Sequence, residues 1–247
     1  MQVLVISLQK NVKRMERLNR SLTKLGVGYE RVEAILGREV PAQERERNIS
    51  KFWWWCINGC PIRAGQWGCA MSHLLAYKHM VAEDIKVACV LEDDAVPRAC
   101  LPMLLGRLER WVDASKAQVI LISNHRDKDE VKLSAEFNVK EVSGGAFAEG
   151  YVITLPAAKK LISKNFPIKC AADEFGLWRG KGWVQLFQAY PEGVNQEWQT
   201  TKGYESDVTY RGGNDVIYDT RQMTIVQLLL WKAKRIIGRI LVKMFLR

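Results

Sequence analysis

The sequence predicts an α/β domain built around a parallel sheet, on three observations. The β-branched run Val3-Leu-Val-Ile-Ser7-Leu8 is followed by a helical period and then by an alternating run from Tyr29 to Ala34, which is the order of a βαβ unit. Val87 to Leu91 is a short, valine-rich run that stops at three consecutive carboxylates, Glu92, Asp93 and Asp94. Further apolar runs, Gln118 to Ser123 and Gly150 to Leu155, repeat the signature of buried strands. In an open sheet, ligands bind outside the carboxyl ends of the strands, so the three acids sit where a crevice is expected.

The elements follow in order. Asn11 is placed to cap the first helix, in which Val12, Met15, Leu18, Leu22 and Leu25 recur at spacings of three and four, with Gly26 just past the end. Residues 39–64 break the rhythm with a charged segment from Glu44 to Arg47, then Phe52-Trp53-Trp54-Trp55, then Pro61. They read as an irregular excursion. Cys69 to Ala82 is helical, contains Ser72 and Tyr77, and leads into the strand that ends at Glu92 and is bounded by Pro97. Ser143 to Glu149 is a flexible connection. Pro156 then occupies the first turn of a helix over Ala157 to Lys164, where its missing amide hydrogen costs nothing. Periodicity fades from Ile168 to Gln199, apart from a strand over Trp183 to Tyr190. The polar, glycine-containing residues 200–221 mark a loop or linker.

The last segment is distinct. Lys232, Arg235, Arg239 and Lys243 recur at spacings of three and four, opposite Leu230, Ala233, Ile237, Leu241 and Met244, with no acid after Asp219. That is a basic amphipathic helix, the pattern of a segment lying on an anionic bilayer surface; the competing reading is a last helix packed on the domain. The chain is therefore expected to divide into a main domain, 1–221, and a tail, 222–247.

A length of 247 residues, with 48% apolar and 26% charged side chains, suits one large globular domain. The formal charge of +10 calls for an anionic partner, whether nucleic acid, phospholipid or a phosphorylated ligand. No apolar stretch reaches the ~20 residues that span a bilayer. Val3 to Leu8 is followed at once by Gln9 and Lys10, so it reads as a first strand rather than a secretory leader. The six cysteines show no paired CxxC and no histidine at zinc spacing. Reduced thiols are expected, with Cys69 and Cys89 serving as small buried hydrophobes.

Three adjacent carboxylates repel one another unless a cation shares them. Hard divalent ions such as Mg²⁺ or Mn²⁺ take carboxylate oxygens and complete their shell with water and substrate phosphates. The bland alternative is a solvated acidic turn after a strand. No GxxxxGK or GxGxxG phosphate loop occurs.

Several pieces, taken in order, resemble one family. They are Val5-Ile-Ser-Leu8 with Arg14, Ala34 to Gly37, Gly65-x-x-Gly68-Cys69-x-x-Ser72-His73, Leu91-Glu-Asp-Asp94, Gly150-Tyr-Val-Ile-Thr154 and Pro167-Ile-x-x-Ala-Ala-Asp173. The ordered set resembles glycosyltransferase family 25, the lipooligosaccharide- and lipopolysaccharide-type β-galactosyltransferases. The resemblance implies a Rossmann-like domain of the GT-A type whose acidic motif binds a divalent metal, Mn²⁺ or Mg²⁺, and a UDP-sugar, here followed by the basic amphipathic helix. It implies inverting transfer of a hexose, galactose by family, to a saccharide acceptor of a lipopolysaccharide or lipooligosaccharide. The expected setting is the cytosolic face of the inner membrane, with the tail on anionic lipid and no nucleic acid as partner. The triple tryptophan and the stretch between Asp173 and Gln196 depart from the family pattern.

In that scheme an acceptor hydroxyl attacks the anomeric carbon and UDP leaves. Asp94 is expected to bind the metal, with Asp93 either joining it or holding the ribose, and Glu92 orienting the loop. The donor side comprises Ser7 and Leu8 through their backbone, Arg14, Ser72, His73, Glu92 and Asp93. Arg14 as a solvated helix position and His73 as a structural core histidine are the competing readings. Inversion needs a base within reach of the acceptor hydroxyl; Asp173 matches the family motif, with Glu174 beside it and Glu149 in reserve, while a helix N-cap is the alternative for Asp173. Trp53, Trp54 and Trp55 are candidates to stack on the C–H faces of the acceptor sugar, with Gln196 and Trp198 at the rim, although at least one of the three is expected in the core. His79 and His125 look incidental. The rival functions are a nucleic-acid-binding protein using the tail and the tryptophans, and a metal-dependent nucleotidyl- or phosphotransferase.

Overall fold

The computed structural model describes residues 1–123, 136–145, 148–196 and 225–246. The expected linker at 200–221, Trp198 and His125 lie outside these residues. The strands are β1 (Gln2–Ser7), β2 (Glu30–Glu33), β3 (Val87–Glu92), β4 (Ala95–Pro97), β5 (Gln118–Leu121), β6 (Asn138–Glu141), β7 (Gly150–Thr154), β8 (Gln185–Tyr190) and β9 (Val194–Gln196). The helices are α1 (Val12–Lys24), α2 (Ala42–Arg47), α3 (Lys51–Asn58), α4 (Ala64–Ala82), α5 (Leu101–Trp111), α6 (Leu155–Asn165), α7 (Phe175–Gly180) and α8 (Ile225–Phe245). The chain forms two compact units: Met1–Ala34, Ser72–Ile162 and Ala172–Tyr204 make the first, and Ile35–Met71, Ser163–Ala171 and Glu205–Arg247 the second.

The first unit holds a seven-stranded sheet in the order β2-β1-β3-β7-β5-β8-β6. β1 is parallel to β2 and to β3, and β5 is parallel to β8. β7 lies between β3 and β5 and is antiparallel to both, and β6 is antiparallel to β8. The sheet is therefore mixed, which corrects the expectation of a parallel one. The continuous apolar runs that mark its strands arise from burial on both faces, and they look alike whichever way a strand runs.

That burial is visible residue by residue. On one face Val3, Val5, Cys89, Leu91, Ile120 and Val152 pack with Met15, Leu18 and Leu22 of α1 and with Leu101, Leu104, Leu105 and Leu108 of α5. Leu4, Ile6, Val90, Val119 and Ile153, which alternation sends to the opposite face, are buried as well. The βαβ unit is as expected: α1 carries the chain from β1 to a parallel neighbour.

The second unit corrects the expectation for residues 39–64, which are helical over α2 and α3 rather than irregular. Aromatic residues are only moderate helix formers, but packing stabilises α3 here: Trp54 and Cys56 are both buried. α4 begins at Ala64, ahead of the expected Cys69. Its Gly68 is there because the backbone of Gly37 passes so close that a Cβ on Gly68 would lie 2.7 Å from the Gly37 amide nitrogen. That contact explains why the Ala34–Gly37 and Gly65–Gly68 pieces occur together. α8 packs on α3: a Cβ on Gly238 would lie 2.5 Å from the Cys56 carbonyl oxygen, and Trp231 Nε1 donates to the Gly59 carbonyl at 3.0 Å. Its other face carries the exposed Ile236, Ile237, Ile240 and Met244. Among the described residues no helix is long and apolar enough to cross a membrane. All six cysteines are free thiols, and burial pushes Cys89 up to about 12.

Candidate functional site

The site is assembled at one end of the sheet in the first unit. β1 and β3 are parallel neighbours, so Ser7 and the acids after Leu91 emerge side by side; β7 starts where β3 ends, with Gly150 opposite Leu91. The Glu92 amide donates to the Glu149 carbonyl at 3.1 Å, which brings a fourth acid to the same edge. β4 and β9 then pair with Ala95 opposite Gln196, so the backbone of Gln196 flanks the position next to Asp94.

Three acids adjacent in the chain are given three different surroundings. Glu92 Oε1 lies 2.9 Å from His73 Nε2, while His73 Nδ1 lies 2.7 Å from the Tyr151 hydroxyl and that hydroxyl 2.7 Å from Tyr77. His73 and Ser72 are buried on α4. An ionised Glu92 accepts a hydrogen bond from Nε2–H, leaving Nδ1 to accept from a tyrosine. This chain of four groups fixes the imidazole, so His73 is both a core residue and a support for the acidic edge.

Asp93 is held from the other side. Its Oδ2 accepts from Ser7 Oγ at 2.9 Å and from Asn11 Nδ2 at 2.9 Å, and its Oδ1 lies 3.5 Å from Arg14 Nη1. Burial raises its proton affinity, opposed by the bonds from Asn11 and Ser7 and by the Arg14 charge. Asn11, the expected cap of α1, makes no side-chain cap bond and spends its amide on Asp93 instead. The Ser7 carbonyl accepts from the Ala34 amide and the Leu8 carbonyl from the Asn11 amide, both at 2.9 Å.

Asp94 is 9% exposed and Asp93 6%, too buried for a solvated turn. Glu149 is 1% exposed, and burial, reinforced by the negative charges of Glu92 and Asp94, pushes its carboxyl up to about 8. Like charges crowded at a strand end, one of them driven to hold its proton at neutral pH, are what a divalent cation relieves. Among the described residues the ligand atoms that converge within 4.8 Å are those of Cys69, His73 and Glu92, a sulfur–nitrogen–oxygen set, whereas Asp94 offers the carboxylate oxygens that Mg²⁺ or Mn²⁺ takes.

Asp173 and Glu174 lead into α7 and are half-buried. The N-cap position belongs to Glu174, without a side-chain cap bond, so the alternative proposed for Asp173 falls one residue along. Phe175 fixes this segment, packing edge-on against Tyr151 with ring centroids 5.7 Å apart. Trp53, Trp54 and Trp55 belong to the second unit. On α3 successive side chains point about 100° apart, so the three do not share one face: Trp54 is 1% exposed, and Trp53 and Trp55 are half-buried. His79 pairs with Glu30 at 2.9 Å.

Tyr77, Tyr151 and Asn11 are the participants that sequence reasoning does not select for the site. Tyr77 follows His73 by four residues, one helical turn, which is a usable signal. Nothing local announces that Asn11 reaches across 82 positions to Asp93.

Residues 1–176 match the family described as glycosyltransferase family 25 (LPS biosynthesis protein). The chain belongs to that family. It is 27% identical over 183 residues to procollagen galactosyltransferase 1-A of Xenopus laevis, covering 70% of this chain and 30% of that protein. To procollagen galactosyltransferase 2 of Homo sapiens it is 26% identical over 183 residues, covering 70% and 29%. A glycosyltransferase 25 family member of Drosophila melanogaster is 26% identical over 180 residues, again covering 70% and 29%. The chain spans less than a third of the length of these curated relatives. Among solved structures it resembles A197 from STIV over 76% of this chain and 81% of that one, at 12% identity and a TM-score of 0.40.

Proposed function

We propose that this member of glycosyltransferase family 25 is an inverting, metal-dependent enzyme that moves galactose from UDP-galactose to a saccharide acceptor. The observation that carries the proposal is the acidic edge after β3, where Asp94 and Glu149 are both buried and the negative charges of Glu92 and Asp94 help to raise the proton affinity of Glu149. Asp94 would hold a divalent cation, and a cation bound there would supply electrostatic stabilisation of the leaving diphosphate. Asp93, with Oδ2 taken by two donors and Oδ1 beside Arg14, anchors the loop and presents Arg14 to the donor. His73 and Tyr151 fix Glu92, and the strand end at Ser7 and Leu8 receives the base. The edge is GT-A in kind: a Rossmann-like sheet with its acids at the carboxyl end of a central strand.

Asp173 takes the acceptor proton, since Glu149 is too buried to meet an incoming hydroxyl, and Glu174 stands beside it. In the first unit Gln196, flanking Asp94, serves the acceptor; the tryptophans of α3 are saccharide-binding candidates of the second unit. The acceptor is a glycolipid saccharide of lipopolysaccharide or lipooligosaccharide type. That choice is supported by the description of the family and by α8, whose exposed Ile236, Ile237, Ile240 and Met244 lie among the exposed Lys232, Arg239 and Lys243, the pattern of a helix seated in an anionic interface. The protein then works peripherally on the cytosolic face of a membrane. The test is UDP release from UDP-galactose in the presence of Mn²⁺ and lipooligosaccharide. UMP or pyrophosphate as product would instead make it a nucleotidyltransferase, and transfer to a collagen-like peptide but not to the glycolipid would reverse the acceptor assignment.

A further inference from the structure

The second unit contains a cavity of about 580 Å³, bounded by α2, α3 and the residues that lead into α4. That volume is in the range of built small-molecule sites. Its walls include Phe52, Trp54, Trp55 and Trp67, and its charged members are Arg45, Lys51 and Arg63 against a single acid, Glu46. Lys51 and Glu46 pair with each other at 3.1 Å. Arg45 Nη1 donates to the carbonyls of Gly37 and Val40 at 2.8 and 2.6 Å, contacts that fix the guanidinium without neutralising it. Arg63 lies close enough to Cys60, another wall residue, for its charge to oppose the effect of burial on that thiol. Lys234 sits 5.9 Å from the centre of the Trp55 ring, adding positive charge beside the same wall. The indole N–H groups of Trp54 and Trp67 are buried and have no acceptor among the described residues, although buried donors are ordinarily satisfied.

We infer that this cavity is a binding site for an acidic sugar, a saccharide unit bearing a carboxylate or a phosphate. The exposed Phe52 and the half-buried Trp55 offer faces suited to the C–H side of a pyranose, with the buried Trp54 and Trp67 packed behind them. Surplus guanidinium charge selects an anion, and planar arginines match carboxylate and phosphate oxygens. A neutral hexose answers only the first feature and inorganic phosphate only the second. The inference rests on the chain acting on saccharides, as proposed above, and adds an anionic sugar that the second unit binds.

The test uses the full chain and tryptophan fluorescence, so it reads binding independently of transfer. Methyl β-glucuronide and glucose 6-phosphate are titrated against methyl β-glucoside and inorganic phosphate. The expected result is saturable quenching by both acidic sugars, at least about tenfold tighter than by either control. Arg63→Gln should erase that preference while leaving the thermal shift produced by UDP with Mn²⁺ unchanged. Equal affinity for the neutral glucoside, equal affinity for inorganic phosphate, or an unaltered preference in Arg63→Gln overturns the inference. Displacement of the glucuronide by UDP also overturns it, because the cavity would then be a nucleotide site. Glucuronide binding without any galactose transfer would sustain the binding site and remove the proposed reaction instead.

Discussion

The two units meet the problem of charge in opposite ways. In the first, carboxyl groups accumulate at a strand end: Glu92, Asp93, Asp94 and Glu149 gather where β3 stops and β7 begins, and Glu149 holds its proton up to about 8. In the second, cations accumulate around aromatic walls, with Arg45, Lys51 and Arg63 lining one cavity and Lys232, Arg239 and Lys243 exposed along α8. Buried carboxyls are costly to ionise until a counter-charge arrives, whereas the cations of the second unit are half-buried or exposed. On the proposals above, a cation with a nucleotide goes with the first unit, and an acidic sugar and lipid go with the second.

The comparison breaks most sharply at Asp94. Asp94→Ala is expected to lower Mn²⁺-dependent transfer by about a thousandfold while the melting temperature stays within a few degrees, measured by UDP release and by circular dichroism. If transfer survives, the anionic edge is not where the cation works. Next in size is Asp173→Asn, which keeps shape and removes basicity. We expect kcat to fall by about a hundredfold with KM for UDP-galactose unchanged; equal loss in both constants would assign Asp173 to binding instead.

The cationic side is sharpened by α8. Replacing Ile237 and Ile240 together with Asp should weaken binding to phosphatidylglycerol vesicles by about tenfold or more in a flotation assay. Activity on a soluble acceptor should be unaffected, and undiminished flotation would return α8 to a purely structural role. The smallest effect concerns Glu149 in chelator-treated protein. Its carboxyl titrates at about 8 in the fold against an ordinary value of 4.5, so the folded state carries the extra proton between those values. The stability this provides is complete below about 4.5 and is lost as pH rises through about 8. Glu149→Gln should therefore flatten the fall in melting temperature between pH 6 and 8.5, by roughly 5 °C. A parallel decline in both proteins would show that Glu149 ionises freely.

The same contrast explains what the sequence makes legible. β1, α1 and β3 are readable because one periodicity dominates each: β-branched runs for the strands, and Met15, Leu18 and Leu22 for the helix, all buried. Leu101, Leu104, Leu105 and Leu108 carry an equally strong helical spacing, which is the signal for α5. The reversed direction of β7 is illegible, since Tyr151 to Ile153 are fully buried and a run buried on both faces carries no polarity. α3 is obscured because three adjacent tryptophans mask the helical period that puts Trp54 inside and leaves Phe52 exposed. At the site, the acids are legible as a cluster but their division is not. Each takes its surroundings from a distant element: Glu92 from His73, Asp93 from Asn11 and Ser7, and Asp94 from the start of β7 beside Glu149.

The most direct measurement is a Mn²⁺ titration followed by electron paramagnetic resonance, with UDP present, on the wild-type chain and on Asp94→Ala. The account predicts that the free-ion signal falls as one Mn²⁺ binds per chain only when UDP and Asp94 are both there. Undiminished Mn²⁺ binding in Asp94→Ala, or UDP binding indifferent to the metal, would contradict it.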